Sequence, residues 1–293
     1  MKNFFLIFKH AGAKTALIYL YDSIIIFLGK AIYFVTLYKR SIHSSIFDVI
    51  KYSKDPNVIL NKFNGFYELT FNINKASTKV VLRKRTSDLA VFKEIFIGNE
   101  YQKLVEKIFE KNIKIKNIID VGSNIGLTIL YFTRCFPDSI VIGIEPDQTN
   151  FSQIEKNVEL NQLKNIKLEK AGLWSHQSNL NLSKNFRHGD NWSFSVEENV
   201  DQGNIKGITM ESLFLKHKFL IIDLLKIDIE GSEQYIFESP ETCAFLKKIK
   251  VICIEVHHEV NSKPLVVNML AYYNFEMFFD RDIIFGINQK LKQ

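Results

Sequence analysis

The sequence is poor in cysteine. Cys135, Cys243 and Cys253 are the only three among 293 residues, none belongs to a C-x-x-C pair, and each lies in or beside an apolar segment. A free thiol in such surroundings behaves as a small buried hydrophobic group. The odd number and the spacing argue against a disulfide framework and indicate a reducing compartment, so we expect a cytoplasmic protein.

Blocks of like charge and motifs of nucleic-acid-binding folds are absent as well. The formal net charge is +6, but the basic residues are spread over the whole length rather than gathered into a run. A mildly basic surface of this kind is usually only solvated. We therefore expect no nucleic-acid partner.

No apolar run is long enough for a clear membrane span. Residues 15–38 are strongly apolar, but Asp22 and Lys30 interrupt them, whereas a spanning helix needs about 18 apolar residues in a row. No A-x-A-like cleavage site follows a short apolar core, so a secretory signal is not expected. Three interpretations stay open: amphipathic helices docked on the main domain, which we favour, a peripheral membrane anchor, and a true span. We assign residues 1–78 to a helical and irregular N-terminal extension and residues 79–293 to the main domain.

From residue 116 onward, apolar strands alternate with helical segments. The predicted strands are residues 118–121, 140–144, 166–173, 224–229 and 251–256, with helices at 126–136, at 148–161 and from 232, and a closing hairpin at 276–279 and 283–287. Apolar strands with intervening helices are typical of a parallel sheet covered on both faces. The predicted fold is therefore α/β, a doubly wound, mostly parallel, Rossmann-like sheet closed by an antiparallel hairpin. Ligands of such sheets bind beyond the carboxyl ends of the strands.

Two further regions have weaker patterns. Upstream, residues 66–71 and 79–83 fit a short antiparallel pair, and residues 88–109 fit one or two helices broken near Gly98. Between the strands, the polar residues 175–207 fit a hairpin or a loop over the site. This region contains a polar and aromatic cluster suited to a sugar, with an ordinary surface loop as the alternative: Arg187, His188, Asp190, Asn191 and Trp192.

The first strand of the alternating region ends in a glycine turn. Residues 118–126 read I-I-D-V-G-S-N-I-G, so Gly122 and Gly126 are spaced G-x-x-x-G instead of the G-x-G-x-x-G of dinucleotide binders. Asp120 would repel a pyrophosphate, but it could hold an ammonium group through bound water or backbone. The turn therefore indicates a nucleoside that carries an amino acid.

A carboxylate follows the next predicted strand. Glu145 ends the segment V-I-G-I-E-P-D at residues 141–147, and a carboxylate there can accept hydrogen bonds from both hydroxyls of a ribose. Pro146 stops the strand, and Asp147 can cap the following helix. The glycine turn and Glu145 together predict a nucleoside site.

At this point the sequence resembles the FkbM-type family of S-adenosylmethionine-dependent methyltransferases. The resemblance covers roughly residues 80–260 and depends on four motifs. These are D-V-G-S-N-I-G at 120–126, E-P at 145–146, Asn157 with Asn161, and above all K-I-D-I-E-G-S-E at 226–233. Ser123 departs from the family pattern, where alanine is commoner.

The resemblance implies S-adenosylmethionine as cofactor and O-methylation of a hydroxyl, often on a sugar or a natural product. The acceptor would be a small molecule or a glycan. The implied cofactor contacts are Asp120, Gly122, Ser123, Asn124, Gly126 and Glu145, with Ser87, Asp88 and Tyr101 as lid contacts. Ser87 and Asp88 fit a helix N-cap equally well.

Three residues are candidates for the base that removes the hydroxyl proton, in the order Glu230, Asp228 and His257. Asp228 lies near the end of a buried strand, where a charge is costly unless it is paired, so it either pairs with Lys226 or belongs to a site. Gly231 permits a sharp turn that aims Glu230 at the cleft. His257 is a catalytic candidate or an ordinary rim residue, and because adjacent residues of a strand point to opposite faces, His257 and His258 do not suggest a metal site.

Two other classes of function stay open. An NAD-dependent oxidoreductase would have the same fold class, but the dinucleotide glycine motif is missing. A non-catalytic module that only binds the nucleoside would have the glycine turn without a working acceptor pocket.

Overall fold

The computed structural model describes residues 59–63, 65–84, 86–183, 195–256 and 262–291, with four further positions at 13, 16, 17 and 20. The apolar segment 15–38, apart from those positions, lies outside the described residues, as do the cluster at 187–192, His257 and His258. Within the described ranges no helix is both long and apolar enough to cross a membrane. The chain divides into two compact units, residues 1–100 and 101–293.

The first unit contains an antiparallel sheet of three strands. They are β1 (Ile59–Phe63), β2 (Phe66–Ile73) and β3 (Ala76–Arg83), in the order β1-β2-β3. Helix α1 (Asp88–Phe92) follows and continues as a π-helix (Lys93–Ile97). The predicted strand pair is present, but β1 adds a third strand where the sequence pattern suggested the irregular end of the extension. Phe71 packs edge-on against Phe92 and Phe96, with ring centroids 5.2 and 4.9 Å apart.

The second unit is built on a seven-stranded sheet in the order β13-β14-β12-β11-β4-β5-β6. Its strands are β4 (Asn117–Val121), β5 (Ile140–Ile144), β6 (Ile166–Glu169), β11 (Ile222–Ile227), β12 (Ile249–Glu255), β13 (Phe275–Asp280) and β14 (Ile283–Asn288). The pairs among β4, β5, β6, β11 and β12 are parallel, and the hairpin β13–β14 joins β12 in antiparallel register. The predicted mostly parallel α/β sheet with its closing hairpin is confirmed.

One helix precedes β4 and the others connect strands of the second unit, as expected for parallel crossovers. They are α2 (Gln102–Glu110), α3 (Leu127–Cys135), α4 (Gln148–Leu160), α5 (Met210–His217), α6 (Glu233–Ile236) and α7 (Lys263–Tyr272), with a 3₁₀ turn at Ala244–Lys248. Every residue of β11 is buried, because this strand lies between β4 and β12. At about 25 cal/mol per Å² of apolar surface, burial of these central strands is the main driving force for the fold.

The sequence pattern was wrong about one strand. Residues 166–173 form two strands in different sheets, because the chain leaves the main sheet after Glu169. β7 (Gly172–Leu173) belongs to a four-stranded sheet in the order β7-β10-β8-β9, with β8 (Ser178–Ser183), β9 (Ser195–Glu198) and β10 (Ile205–Ile208). Gly172 permits this because a Cβ there would lie 2.9 Å from the Leu180 side chain. The predicted hairpin within 175–207 is present as the antiparallel pair β8–β9.

The strand predicted at 224–229 is also shifted. β11 begins at Ile222 and ends at Ile227, so Asp228 and Ile229 belong to the loop that follows it. This shift places Asp228 at the carboxyl edge of the sheet rather than inside it.

Candidate functional site

A cleft of about 530 Å³, partly open to solvent, lies at the carboxyl edge of the main sheet. It is formed where β4, β5 and β11 end, together with β7 and β9. The lining residues are Val121, Gly122, Asn124, Ile144, Glu145, Pro146, Asn150, Ala171, Gly172, Leu173, Val196, Asp228, Ile229 and Glu230.

The glycine turn after β4 is held close to the loop after β11. Gly122 has a φ of +74°, and a Cβ at this position would lie only 1.7 Å from the carbonyl oxygen of Asp228. The backbone N–H of Asp228 donates to the carbonyl of Val121 at 3.1 Å. Only glycine therefore lets the two loops approach this closely. Gly126, with a φ of +83°, precedes the first residue of α3.

Ser123 lies behind the turn rather than in the cleft lining. Its Oγ donates to the carbonyl of Asp120 at 2.8 Å and accepts from the N–H of Ile144 at 3.0 Å. The side chain is buried, so it ties β4 to β5 at the point where both strands end. A small hydroxyl-bearing residue fits this position, which accounts for serine in place of the commoner alanine.

Asn124 lines the cleft, and its side-chain oxygen has no hydrogen-bond donor among the residues that the structure describes. Its backbone N–H donates to Glu145 Oε2 at 2.9 Å. Its buried Oδ1 accepts no hydrogen bond from any residue that the structure describes. Because an unsatisfied buried acceptor costs about 1–3 kcal/mol, this oxygen is suited to receive a ligand's donor.

Glu145 is buried at the end of β5, with 5% of its surface exposed. Its carboxylate accepts hydrogen bonds from the backbone N–H groups of Asn124, at 2.9 Å, and Asp147, at 3.0 Å. Burial nevertheless dominates and raises the pKa of Glu145 to about 8. Asp147 caps α4 as predicted, because its Oδ1 accepts from the N–H groups of Thr149 and Asn150 at 2.8 Å.

The loop after β11 brings two more carboxylates to the cleft, those of Asp228 and Glu230. Glu230 has a left-handed backbone with a φ of +50°, and Gly231 follows with a φ of +89°. A left-handed non-glycine residue costs about 1–2 kcal/mol, and such strain is commonest at functional sites. The N–H of Gly231 donates to Glu233 Oε1 at 3.3 Å, so the side chain of the buried Glu233 stabilises this turn.

The buried Lys226 connects the loop after β4 with the loop after β11. The sequence pattern suggests it only as a possible partner of Asp228. The Nζ of Lys226 lies 3.3 Å from Asp120 Oδ1 and 3.3 Å from Asp228 Oδ2, and it donates to the carbonyl of Gly122 at 2.7 Å. Burial lowers the pKa of Lys226, but the two carboxylates outweigh it and hold the pKa above its ordinary value. Asp120 therefore faces Lys226 inside the sheet and is absent from the cleft lining. The parallel register, with Lys226 beside Asp120, is the signal that could have revealed this contact.

Two of the three upstream candidates, Asp88 and Tyr101, have local structural partners. In the first unit the carboxylate of Asp88 is buried and accepts from the backbone N–H and the guanidinium of Arg83, both at 2.7 Å. Ser87 precedes α1 without a side-chain capping bond. In the second unit Tyr101 is buried against Phe132, with ring centroids 5.2 Å apart, and does not line the cleft. His257 lies outside the described residues.

Several known proteins are similar to this chain. Residues 120–277 match the family model of the methyltransferase FkbM domain. Over 138 residues the chain is 25% identical to Methyltransferase 1 of Beauveria bassiana (strain ARSEF 2860), and the match covers 40% of this chain but only 55% of that protein. Over 196 residues it is 23% identical to Methyltransferase sdnD of Sordaria araneosa, covering 56% of this chain and 75% of the relative.

Two solved structures are also similar. The FkbM methyltransferase of Methylobacillus flagellatus KT is 15% identical with a TM-score of 0.41, covering 59% of this chain and 44% of that one. The N-terminal domain of human METTL16 in complex with SAH is 15% identical with a TM-score of 0.38, covering 64% and 67%. Because the family model matches more than half of the sequence, the chain belongs to the FkbM family of S-adenosylmethionine-dependent methyltransferases.

Proposed function

We propose that this protein transfers the methyl group of S-adenosylmethionine to a hydroxyl group of an uncharged acceptor such as a sugar or a glycan. The observation that carries the proposal is the presence of Asp228 and Glu230 in the same cleft as Gly122, Asn124 and Glu145. One side of the cleft is suited to a nucleoside, and the other presents carboxylates to a hydroxyl.

The residues on the nucleoside side fit the cofactor. The open Oδ1 of Asn124 can accept from an N–H or O–H donor of the ligand, and the Glu145 carboxylate can accept from the ribose hydroxyls. Gly122 keeps this wall free of side chains. Bound S-adenosylmethionine supplies an activated methyl group on a positively charged sulfur.

The residues on the acceptor side of the cleft fit the chemistry of methylating an alcohol. A hydroxyl is a weak nucleophile, so the protein must hold its oxygen in line and accept its proton, and a positioned base contributes about 10²–10⁴-fold. We assign the base to Glu230, because its carboxylate lines the cleft on a strained turn. Asp228, whose carboxylate lies 3.3 Å from the Lys226 ammonium, would accept a hydrogen bond from the acceptor and orient it, and correct alignment is worth about 7–11 kcal/mol in favourable cases.

The acceptor side of the cleft also argues for an uncharged substrate. The described lining contains the carboxylates of Asp228 and Glu230 on this side and no basic side chain. Such a lining attracts a cationic sulfonium and repels phosphate or carboxylate groups. Sugars and other neutral polyols match this charge pattern.

The test is a screen of sugar, glycan and lipid-linked sugar acceptors with methyl-labelled cofactor. In Glu230→Gln we expect binding of S-adenosylhomocysteine near the wild-type level and turnover reduced by about 10²–10⁴-fold. The control is Glu155→Gln, the same chemical change on the exposed side of α4, which should keep full turnover.

Different results separate the alternatives. S-adenosylhomocysteine at about 100 times its dissociation constant should stabilise the protein by about 2.7 kcal/mol. A melting shift with NADH but none with S-adenosylhomocysteine would favour an oxidoreductase, and cofactor binding without transfer to any acceptor would favour a non-catalytic module. Normal turnover of Glu230→Gln would remove Glu230 as the base.

A further inference from the structure

We infer that Lys226 is a positioning residue, which couples the cofactor turn to the acceptor loop by holding the Gly122 carbonyl and the Asp228 carboxylate at one buried ammonium group. The inference rests on the proposed function, since it assigns Asp228 a role toward the acceptor. It concerns a side chain that does not line the cleft and touches neither ligand.

The contacts of Lys226 join the ends of two neighbouring strands, β4 and β11. Lys226 lies on β11, the Gly122 carbonyl follows β4, and Asp228 follows β11 itself. The Nζ–O distances are 2.7 Å to Gly122, 3.3 Å to Asp228 and 3.3 Å to Asp120. With three acceptors around it, the ammonium helps to fix the distance between the two adjoining loops, both of which line the cleft.

The strand itself does not need a charge at this position. Every other residue of β11 except Asp223 is apolar, and replacing a buried ion pair with well-packed apolar residues is often neutral or stabilising. The side chains of Lys226 and Asp120 are 3% and 0% exposed. The buried group of Lys226, Asp120 and Asp228 is therefore better explained by the geometry that it fixes at the cleft than by a contribution to folding stability.

The electrostatic effect of Lys226 reaches the cleft through Asp228. The side chain of Asp228 is 26% exposed, so it can meet a ligand while its other oxygen faces the ammonium. The titratable groups around the ammonium are Asp120 on β4, Asp228, and Glu255 and Cys253 on β12. Of these only Asp228 is in the cleft lining, so loss of the lysine charge should affect catalysis through Asp228.

A second Lys–Asp pair, between β11 and β12, provides the control. At their amino ends Lys250 lies 2.9 Å from Asp223, which also accepts from the backbone N–H groups of Lys116 and Asn117 at 2.9 Å. Lys250→Met therefore removes a Lys–Asp pair from β11 and β12 at the opposite end of the sheet from the cleft. A merely structural role for Lys226 predicts that Lys226→Met and Lys250→Met have similar effects.

The experiment measures S-adenosylhomocysteine affinity by calorimetry, and kcat and KM for the acceptor at saturating cofactor. We expect Lys226→Met to weaken S-adenosylhomocysteine binding by about tenfold and to lower kcat more than it raises KM, since the Asp228 carboxylate loses the contact that holds it in place to orient the acceptor. Lys250→Met should change neither. Adding Lys226→Met to the Asp228→Asn variant should lower kcat/KM by a further factor of less than about three, because Lys226 and Asp228 act as one unit.

Equal behaviour of Lys226→Met and Lys250→Met, or additive losses in the double variant, would overturn the inference. If Lys226→Met fails to fold because Asp120 is left buried without its counter-charge, the variant Lys226→Met/Asp120→Asn is measured in its place. If the wild type methylates no acceptor, the proposed function fails by itself, and Lys226 is judged on S-adenosylhomocysteine affinity relative to Lys250→Met.

Discussion

The carboxyl group of Glu145 is buried so deeply that its charge depends on what binds it. Two backbone N–H groups favour the ionised form, but burial raises the pKa to about 8. Without a ligand the group is therefore largely protonated at neutral pH. Ribose hydroxyls that donate to the carboxylate would favour the ionised form, so cofactor binding should release a proton.

Cofactor affinity should consequently rise with pH. Between about pH 6.5 and 8, S-adenosylhomocysteine should bind up to about tenfold more tightly per pH unit, since one pKa unit corresponds to about 1.4 kcal/mol. Calorimetry in two buffers of different ionisation enthalpy measures the released proton. Glu145→Gln provides the control, because its affinity, although weaker, should not follow pH across this range. A wild-type affinity that is flat from pH 6.5 to 9 would contradict the assignment.

The same shift has a definite sign for stability. The pKa of Glu145 is raised from 4.5 to about 8 on folding. Its contribution to the free energy of unfolding is therefore fully present below about pH 4.5 and is lost as the pH rises through 8. Bound cofactor should offset this loss at alkaline pH.

At the scale of elements, helix α4 links the two halves of the nucleoside wall. Its first turn is capped by Asp147, whose own N–H donates to Glu145. Two turns later the buried Nδ2 of Asn157 donates to the carbonyl of Ile125 at 2.9 Å, inside the glycine turn. Helix α4 thus fixes the position of Glu145 relative to the glycine turn.

Removing the side-chain amide of Asn157 should weaken the attachment of α4 to the glycine turn. In Asn157→Ala the buried carbonyl of Ile125 loses its donor, so we expect the free energy of unfolding to fall by about 1–3 kcal/mol and the affinity for S-adenosylhomocysteine to fall with it. Urea denaturation and calorimetry measure the two effects. Lys156→Ala, at an exposed position one residue earlier, should change stability by less than about 0.5 kcal/mol. A variant at position 157 that is as stable as Lys156→Ala would contradict this role.

The elements also show where sequence reasoning succeeds and where it stops. Strand β5 is apolar throughout, and the apolar runs of β4 and β12 are each interrupted by two polar residues; these runs predict buried parallel strands directly. The break between β6 and β7 is invisible in an apolar run, because it depends on which sheet Gly172 can approach. The sequence identifies Asp228 as a charge that needs a partner, with Lys226 as one possibility, but the contacts of Lys226 with Gly122 and Asp120 depend on strand order and register, which a linear pattern does not contain.

At the scale of the whole molecule, the charge of the protein and the charge of its cleft have opposite signs. The chain carries a formal net charge of +6, yet the described cleft lining contains only carboxylates as charged groups. Long-range attraction of anions by the surface and their rejection at the site are therefore separate effects. The local effect decides which acceptor reacts.

A phosphorylated version of an accepted substrate should consequently be a poor substrate. At low ionic strength we expect its kcat/KM to be at least about tenfold lower than that of the neutral compound, since like charges a few ångströms apart repel by about 1–4 kcal/mol near a protein surface. The gap should narrow in about 1 M salt, where the Debye length is about 3 Å, while the neutral acceptor serves as the reference in the same buffers. A preference for the phosphorylated acceptor would contradict the assignment of an uncharged substrate.

The insertion of β11 between β4 and β12 has a consequence for biosynthesis. A nascent chain carries β4, β5 and β6 out of the ribosome well before residues 222–227 are translated, so during that interval the inner edge of β4 has no neighbour from β11. The glycine turn then also lacks Asp228 and Lys226. The acceptor side of the cleft is therefore incomplete until residues 222–230 have left the ribosome, and until then the unpaired edge of β4 is prone to aggregation.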